Sequence, residues 1–150
     1  MTSDRSGFCV DWETPDLDRA PSIVSSILDL LLPRIHTVWI DAYSDASDLP
    51  PAAAKAQSWL VEQGKSRRRG DPRMGIEVDR YDPEALEVLR CFAPWSINVE
   101  SYDENMHWVA ELSDTSHAIC FNVSVEELDQ LRHLLPEVPI AALQPGRRRS

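Results

Sequence analysis

The sequence predicts an α+β fold: one domain with a mixed β-sheet, packed helices and a C-terminal antiparallel three-strand meander, in the order β-α-β-α-β-α-β-β-β-α. Three observations lead there. Apolar positions switch repeatedly between a period of 2 and a helical period along the chain. Three alternating runs then follow one another in the last third with only short polar turns between them. The chain, at 150 residues with 43% apolar content, is long enough for one core and too short for two.

Taken in order, "GFCVDWE" alternates Phe8, Val10 and Trp12 against Cys9, Asp11 and Glu13, the pattern of a half-buried edge strand. From Pro21 to Leu32, the residues Ile23, Ile27, Leu30 and Leu31 recur at helical spacing until Pro33 stops the pattern. "RIHTVWIDAY" reads as a central strand, because Val38, Trp39 and Ile40 put apolar residues on both faces. The next helix has Asp48 as its expected cap, Pro50 and Pro51 in its first turn, a stripe of Ala52, Ala56, Trp59 and Leu60, and Gly64 at its end. A solvated basic loop, "KSRRRGDPR", leads to the strand "MGIEVDRY". A helix then opens on Asp82 as cap and Pro83 at its first position, and Pro94 ends it.

The meander consists of "WSINVES", "HWVAEL" and "HAICFNV". A turn near Asp103 and Glu104 predicts an odd-sum register with Val99 opposite Trp108 and Glu100 opposite His107, and a polar second face of Ser96, Asn98, Glu100, His107 and Glu111. The last helix carries the strongest local signature: Ser124 and Glu127 form an S-x-x-E capping box, and Val123 and Leu128 sit at staple positions. The domain is expected to span 1–143, with 144–150 a disordered basic tail.

Charge is the most informative composition. The formal net charge is −10, but eight of the fifteen basic residues fall in "KSRRRGDPR" and in Arg147, Arg148 and Arg149. Setting these and Asp71 aside leaves 7 basic against 24 acidic residues, a net of −17. Such a field attracts cationic surfaces and repels polyanions, so a nucleic-acid partner is not expected despite the arginine loop. No apolar run reaches the length of a membrane span and the N-terminus carries no signal pattern, so no membrane partner and a cytoplasmic location are expected. Only Lys55 and Lys65 are lysine, which suggests a GC-rich, bacterial genome.

Catalytic patterns are missing. The five glycines offer no phosphate-cradling spacing, no serine sits in G-x-S-x-G, and His36, His107, His117 and His133 form no zinc pairing. Cys9, Cys91 and Cys120 are far apart in sequence, so neither a C-x-x-C redox pair nor a zinc knuckle can be read, and a disulfide framework is not expected. Trp39, Trp59, Trp95 and Trp108 read as core residues. No catalytic residue, metal ligand or cofactor is assigned.

Carboxylates supply the candidate site instead. Asp41, Asp45 and Asp48 follow one strand, Asp79 and Asp82 the next, and Glu100, Asp103 and Glu104, with His107, the third. If the middle strands are parallel, right-handed crossovers bring these segments to one edge as an acidic rim. The expected function is an acidic binding module that docks a basic protein, such as an inhibitor or immunity protein neutralising a toxin. The competing expectation is a small enzyme or divalent-metal domain using that rim or a Glu100/His107 couple. Oligomeric state is not fixed by the sequence.

Overall fold

A computed structural model of the protein describes residues 4–66 and 70–143. The expected basic tail and Arg67 to Arg69 lie outside the described residues. The elements are β1 (Ser6–Val10), α1 (Ala20–Leu31), β2 (Thr37–Ile40), α2 (Pro51–Gln63), β3 (Lys65–Ser66), β4 (Ile76–Val78), α3 (Pro83–Phe92), β5 (Asn98–Tyr102), β6 (Trp108–Ser113), β7 (Ala118–Val123), α4 (Val125–Leu134) and β8 (Ile140–Ala142). Short 3-10 turns follow α1 and α3. The α+β class is as expected.

All the strands join one sheet in the order β3-β4-β2-β5-β6-β7-β1-β8. Every pairing in it is antiparallel, so the expected mixed sheet is corrected. The reason is topological. β4 and β5, joined through α3, do run in the same direction, but β2 lies between them and pairs antiparallel with both. β1 is flanked by β7 and β8 and is not the edge; the edges are the short strands β3 and β8. Neither has an alternating run long enough to announce a strand.

The three expected meander strands are consecutive neighbours, with Val99 opposite Leu112, Glu100 opposite Glu111 and Leu112 opposite Ile119. The predicted partners Trp108 for Val99 and His107 for Glu100 are therefore wrong by four residues, although the odd sum is right. The turn is wider than expected: the Asp103 carboxylate accepts hydrogen bonds from the N–H groups of Asn105 (2.8 Å) and His107 (2.9 Å), and Met106 takes a left-handed φ of 62°. A bulge next to this turn pairs Tyr102 with Trp108 while Ser101 pairs with Ala110. It leaves Val109 fully buried and sends Trp108 to the opposite face from Ala110.

The helices cover one face of the sheet. Val38, Ile40, Ile76, Val99, Leu112, Ile119 and Phe121 point into that layer, where they meet Ile23, Ile27, Leu31, Leu60, Leu89 and Phe92. Local signals explain the helix ends. Asp82 caps α3 by accepting the Glu84 N–H at 3.0 Å, and Ser124 and Glu127 form the reciprocal capping box of α4. Asp48 does not cap α2: Pro50 holds that position with no side-chain bond, because two prolines already set the entering backbone. Gly64 ends α2 where any side chain would collide, since a Cβ there would lie 2.4 Å from the Leu60 carbonyl oxygen.

One covalent link contradicts the sequence expectation. Cys9 and Cys120 are directly opposed on β1 and β7 and form a disulfide across a sequence separation of 111. No spacing motif could reveal it, because only the pairing of the first strand with the seventh brings the two together. Cys91 stays a free thiol, its pKa raised first by burial and then by the neighbouring Glu87.

Candidate functional site: the open face of the sheet

The antiparallel topology divides the expected acidic rim between the two ends of the sheet. Asp41, Asp45 and Asp48 follow β2 at one end, whereas Asp79, Asp82, Asp103 and Glu104 follow β4 and β5 at the other. The three segments do not converge.

At the first end Asp41 is buried, with 7% exposure, and its carboxylate accepts the Gly75 N–H at 2.7 Å where Gly75 takes a φ of 61°. It holds a turn. Asp45 and Asp48 are exposed, and the Asp45 N–H donates to Thr115 Oγ1 at 3.0 Å. Tyr43 donates its hydroxyl to Asp71, which raises the phenol's pKa, and the Arg73 guanidinium lies 5.8 Å from the centre of the same ring.

At the second end most carboxylates serve their own backbone. Asp79 accepts the Tyr81 N–H at 2.9 Å and Asp82 caps α3. Burial pushes the Asp103 carboxyl up, but the His107 and Asn105 N–H groups outweigh it and leave its pKa below the ordinary value. His107 is exposed, with Nδ1 3.6 Å from Asp103 Oδ2, so it pairs with its own turn and the Glu100/His107 couple is not formed. Glu104 is exposed beside a shallow groove that Arg34, His36 and Arg80 also line. This end has mixed charge.

Glu100 is different because it lies inside β5, on the face that the helices do not cover. Its ladder row runs Glu77, Trp39, Glu100, Glu111, Cys120, Cys9 as successive cross-strand partners. The row beside it carries Thr37, Tyr102 and Trp108, and the bulge is what adds Trp108 to it. The Glu100 carboxylate is held from two sides: Tyr102 donates its hydroxyl to Oε1 at 2.6 Å, and Asn98 donates Nδ2–H to Oε2 at 2.8 Å. Tyr102 also meets the edge of Trp39, with ring centroids 5.4 Å apart and planes at 60°. The Trp108 indole reaches over Gly7, where a Cβ would stand 3.3 Å from the ring and 3.0 Å from Leu143.

Sequence reasoning placed Glu100 in the site and Glu111 on its face, but it assigned Trp39 and Trp108 to the core. Both are half-buried and stand outside the buried cluster, whereas Trp95 is buried as expected. For Trp39 the readable signal was parity. Asn98, Glu100 and Tyr102 alternate with Val99 and Ser101, and any strand pairing in register with them shows a residue of matching character on the same face. For Trp108 no local signal exists, since its orientation depends on the bulge.

Chemically the face offers carboxylates between aromatic rings, a combination that suits organic cations. Among the described residues no three His, Cys, Asp or Glu side chains gather as a metal ion would require. None of the helices there is long and apolar enough to cross a membrane. Comparison of the chain with protein-family models, with curated proteins and with solved structures finds no match.

Proposed function

We propose that this chain is a protein-binding module that captures a basic partner through the open face of its sheet, as an inhibitor or immunity protein covers the cationic site of a toxin. One observation carries the reading: Glu77, Trp39, Glu100 and Glu111 are successive cross-strand partners on the face away from the helices. Aromatic rings supply contact area at low side-chain entropy, and the carboxylates supply complementarity to arginine and lysine. The formal charge of −10 adds long-range steering of a cationic partner and opposes a nucleic acid.

The docking set therefore moves from the rim to the sheet. Asp41, Asp79, Asp82 and Asp103 hold turns and a helix cap, and Asp45, Asp48, Glu104 and His107 remain as outlying charges that would tune the encounter rate. A bacterial source stays part of the proposal. So does a cytoplasmic setting, against which the Cys9–Cys120 disulfide stands as the observation that favours an oxidising compartment.

The test is capture of basic proteins from the native cell, followed by association kinetics at two salt concentrations. Association should slow as the Debye length falls from about 10 Å at 0.1 M to about 3 Å at 1 M. Replacing Glu100 and Glu111 together by Gln should abolish capture, whereas Asp45→Asn with Asp48→Asn should only slow it. The opposite ranking would return the site to the rim.

A second reading has its own observation. Glu100 and Glu111 face each other directly across two strands, and opposed carboxylates are the equipment of acid/base hydrolysis. Steady-state turnover of a glycoside or ester by the purified chain, lost in both Gln variants, would favour an enzyme over a binder.

A further inference from the structure

We propose that the cleft between the C-terminal end of α2, the exit of β4 and the start of α3 binds a small molecule carrying one carboxylate on a flat apolar group, with Arg80 as its anchor. The cleft holds about 550 Å³ and shares only Glu77 with the row assigned to docking, so the inference stands apart from that reading. Three features lead to it.

The first is an unfinished guanidinium. Arg80 Nη1 donates to the carbonyls of Leu32 (3.1 Å) and Ile35 (2.6 Å), which holds the group by one end. The remaining edge, Nε with Nη2, bonds nothing among the described residues, although Nε is withdrawn from water. No described carboxylate forms an ion pair with this cation either. Buried donors are ordinarily satisfied, and a guanidinium edge with two parallel N–H groups takes a carboxylate bidentately. An anion completes Arg80.

The second is charge. His36 and Lys65 line the cleft with Arg80, against Glu77, Asp79 and Asp82, and the last two already accept the backbone N–H groups of Tyr81 and Glu84. Positive groups balance negative ones at best, and the whole chain carries a formal −10, so a doubly charged phosphate is opposed where a single carboxylate is admitted. The third is the wall. Trp59 is half-buried there, Leu60, Val78 and Ala85 line the cleft at 5% exposure or less, and the exposed Tyr81 ring lies with its centroid 4.9 Å from the Arg80 guanidinium carbon. Rings and aliphatic groups around a few polar anchors suit a flat organic acid.

The probes are benzoate, acetate, benzamide and phenyl phosphate, each titrated into the full chain by calorimetry at up to about 10 mM. Benzoate should bind about tenfold tighter than acetate, which lacks the ring, than benzamide, which lacks the charge, and than phenyl phosphate, which carries a second charge. Arg80→Lys, which keeps the charge and loses the fork, should weaken benzoate by about tenfold, and Trp59→Leu should narrow its margin over acetate. Thermal melts check that both variants keep the fold. If Arg80→Lys does not fold, the unaltered chain decides: its Arg80 Nε–H proton resonance should move downfield as benzoate is added. A resonance that does not move, binding of no probe, or benzamide binding as tightly as benzoate overturns the proposal and leaves Arg80 as a clasp on the turn after α1. Phenyl phosphate binding as tightly as benzoate overturns the single carboxylate, and an unchanged margin over acetate in Trp59→Leu overturns the aromatic wall.

Discussion

Val38 and Trp39 are adjacent in the chain and belong to opposite worlds. Val38 is fully buried under the helices, on the same face as Ile40, Val99, Leu112 and Phe121, all at 2% exposure or less. Trp39 is half-buried on the other face, in a row with Glu77, Glu100 and Glu111. One face carries the folding energy, at roughly 25 cal/mol for each Å² of apolar surface withdrawn from water. The other is relieved of that duty and holds opposed carboxylates and large rings, the residues that the proposed docking would use. A helix layer on one side only is what makes this division possible.

The comparison is broken most severely from the helix side. Phe121→Ala removes a ring with 0% exposure from the centre of the sheet and should cost about 3–5 kcal/mol, read as a fall in the urea midpoint. Partner capture should fall only in proportion to the unfolded fraction.

Next comes the link between Cys9 and Cys120. Reduction, or Cys9→Ser with Cys120→Ser, should cost about 2–4 kcal/mol by releasing a closed loop of the unfolded chain. Melting with and without a dithiol reductant measures it. A melting temperature indifferent to reductant would show that the two sulfurs are not bonded in solution.

Glu127 sets a pH limit on the helix side. Burial raises its pKa, yet the hydrogen bonds from Arg34 and the Ser124 N–H, with Arg5 beside them, win and leave it lowered. A depressed folded pKa means that the carboxylate's contribution is fully present above its ordinary value of 4.5 and is lost as pH falls through the folded pKa. Glu127→Gln should cost about 1–3 kcal/mol at neutral pH, and the gap to the parent should close in acid. A gap that is constant with pH would refute the assignment. Ser124→Ala, which removes the other half of the capping box, should cost about 0.5–2 kcal/mol.

The smallest stability effect belongs to the open face and sharpens the contrast. Glu111→Gln should move the unfolding free energy by less than about 0.5 kcal/mol while reducing capture of a basic partner. If it unfolds the protein instead, the open face is structural and the division of labour fails.

Much of this was readable in advance wherever the cause is local. The capping box at Ser124, the cap at Asp82, the three alternating strands and the parity of Val99, Glu100 and Glu111 all depend on residues close in sequence. What escaped depends on distance or on a single irregular residue. The slot of β2 between β4 and β5 split Asp41 from Asp103, the bulge at Val109 turned Trp108 outward, and the pairing of β1 with β7 joined Cys9 to Cys120. Chain entropy makes such long-range pairings expensive to form, and no short window of sequence records them.

The cross-link also has a mechanical meaning. With Cys9 and Cys120 bonded, a pull on the two ends of the chain bypasses the segment between them, a sequence separation of 111, because the tension crosses from β1 to β7 through sulfur. The loop that stays slack is on the order of 380 Å of contour at about 3.4 Å per residue. It contains Trp39, Glu100 and Glu111, so a pull on the two termini strips α4 and β8 while the face proposed for docking stays inside an unstretched ring.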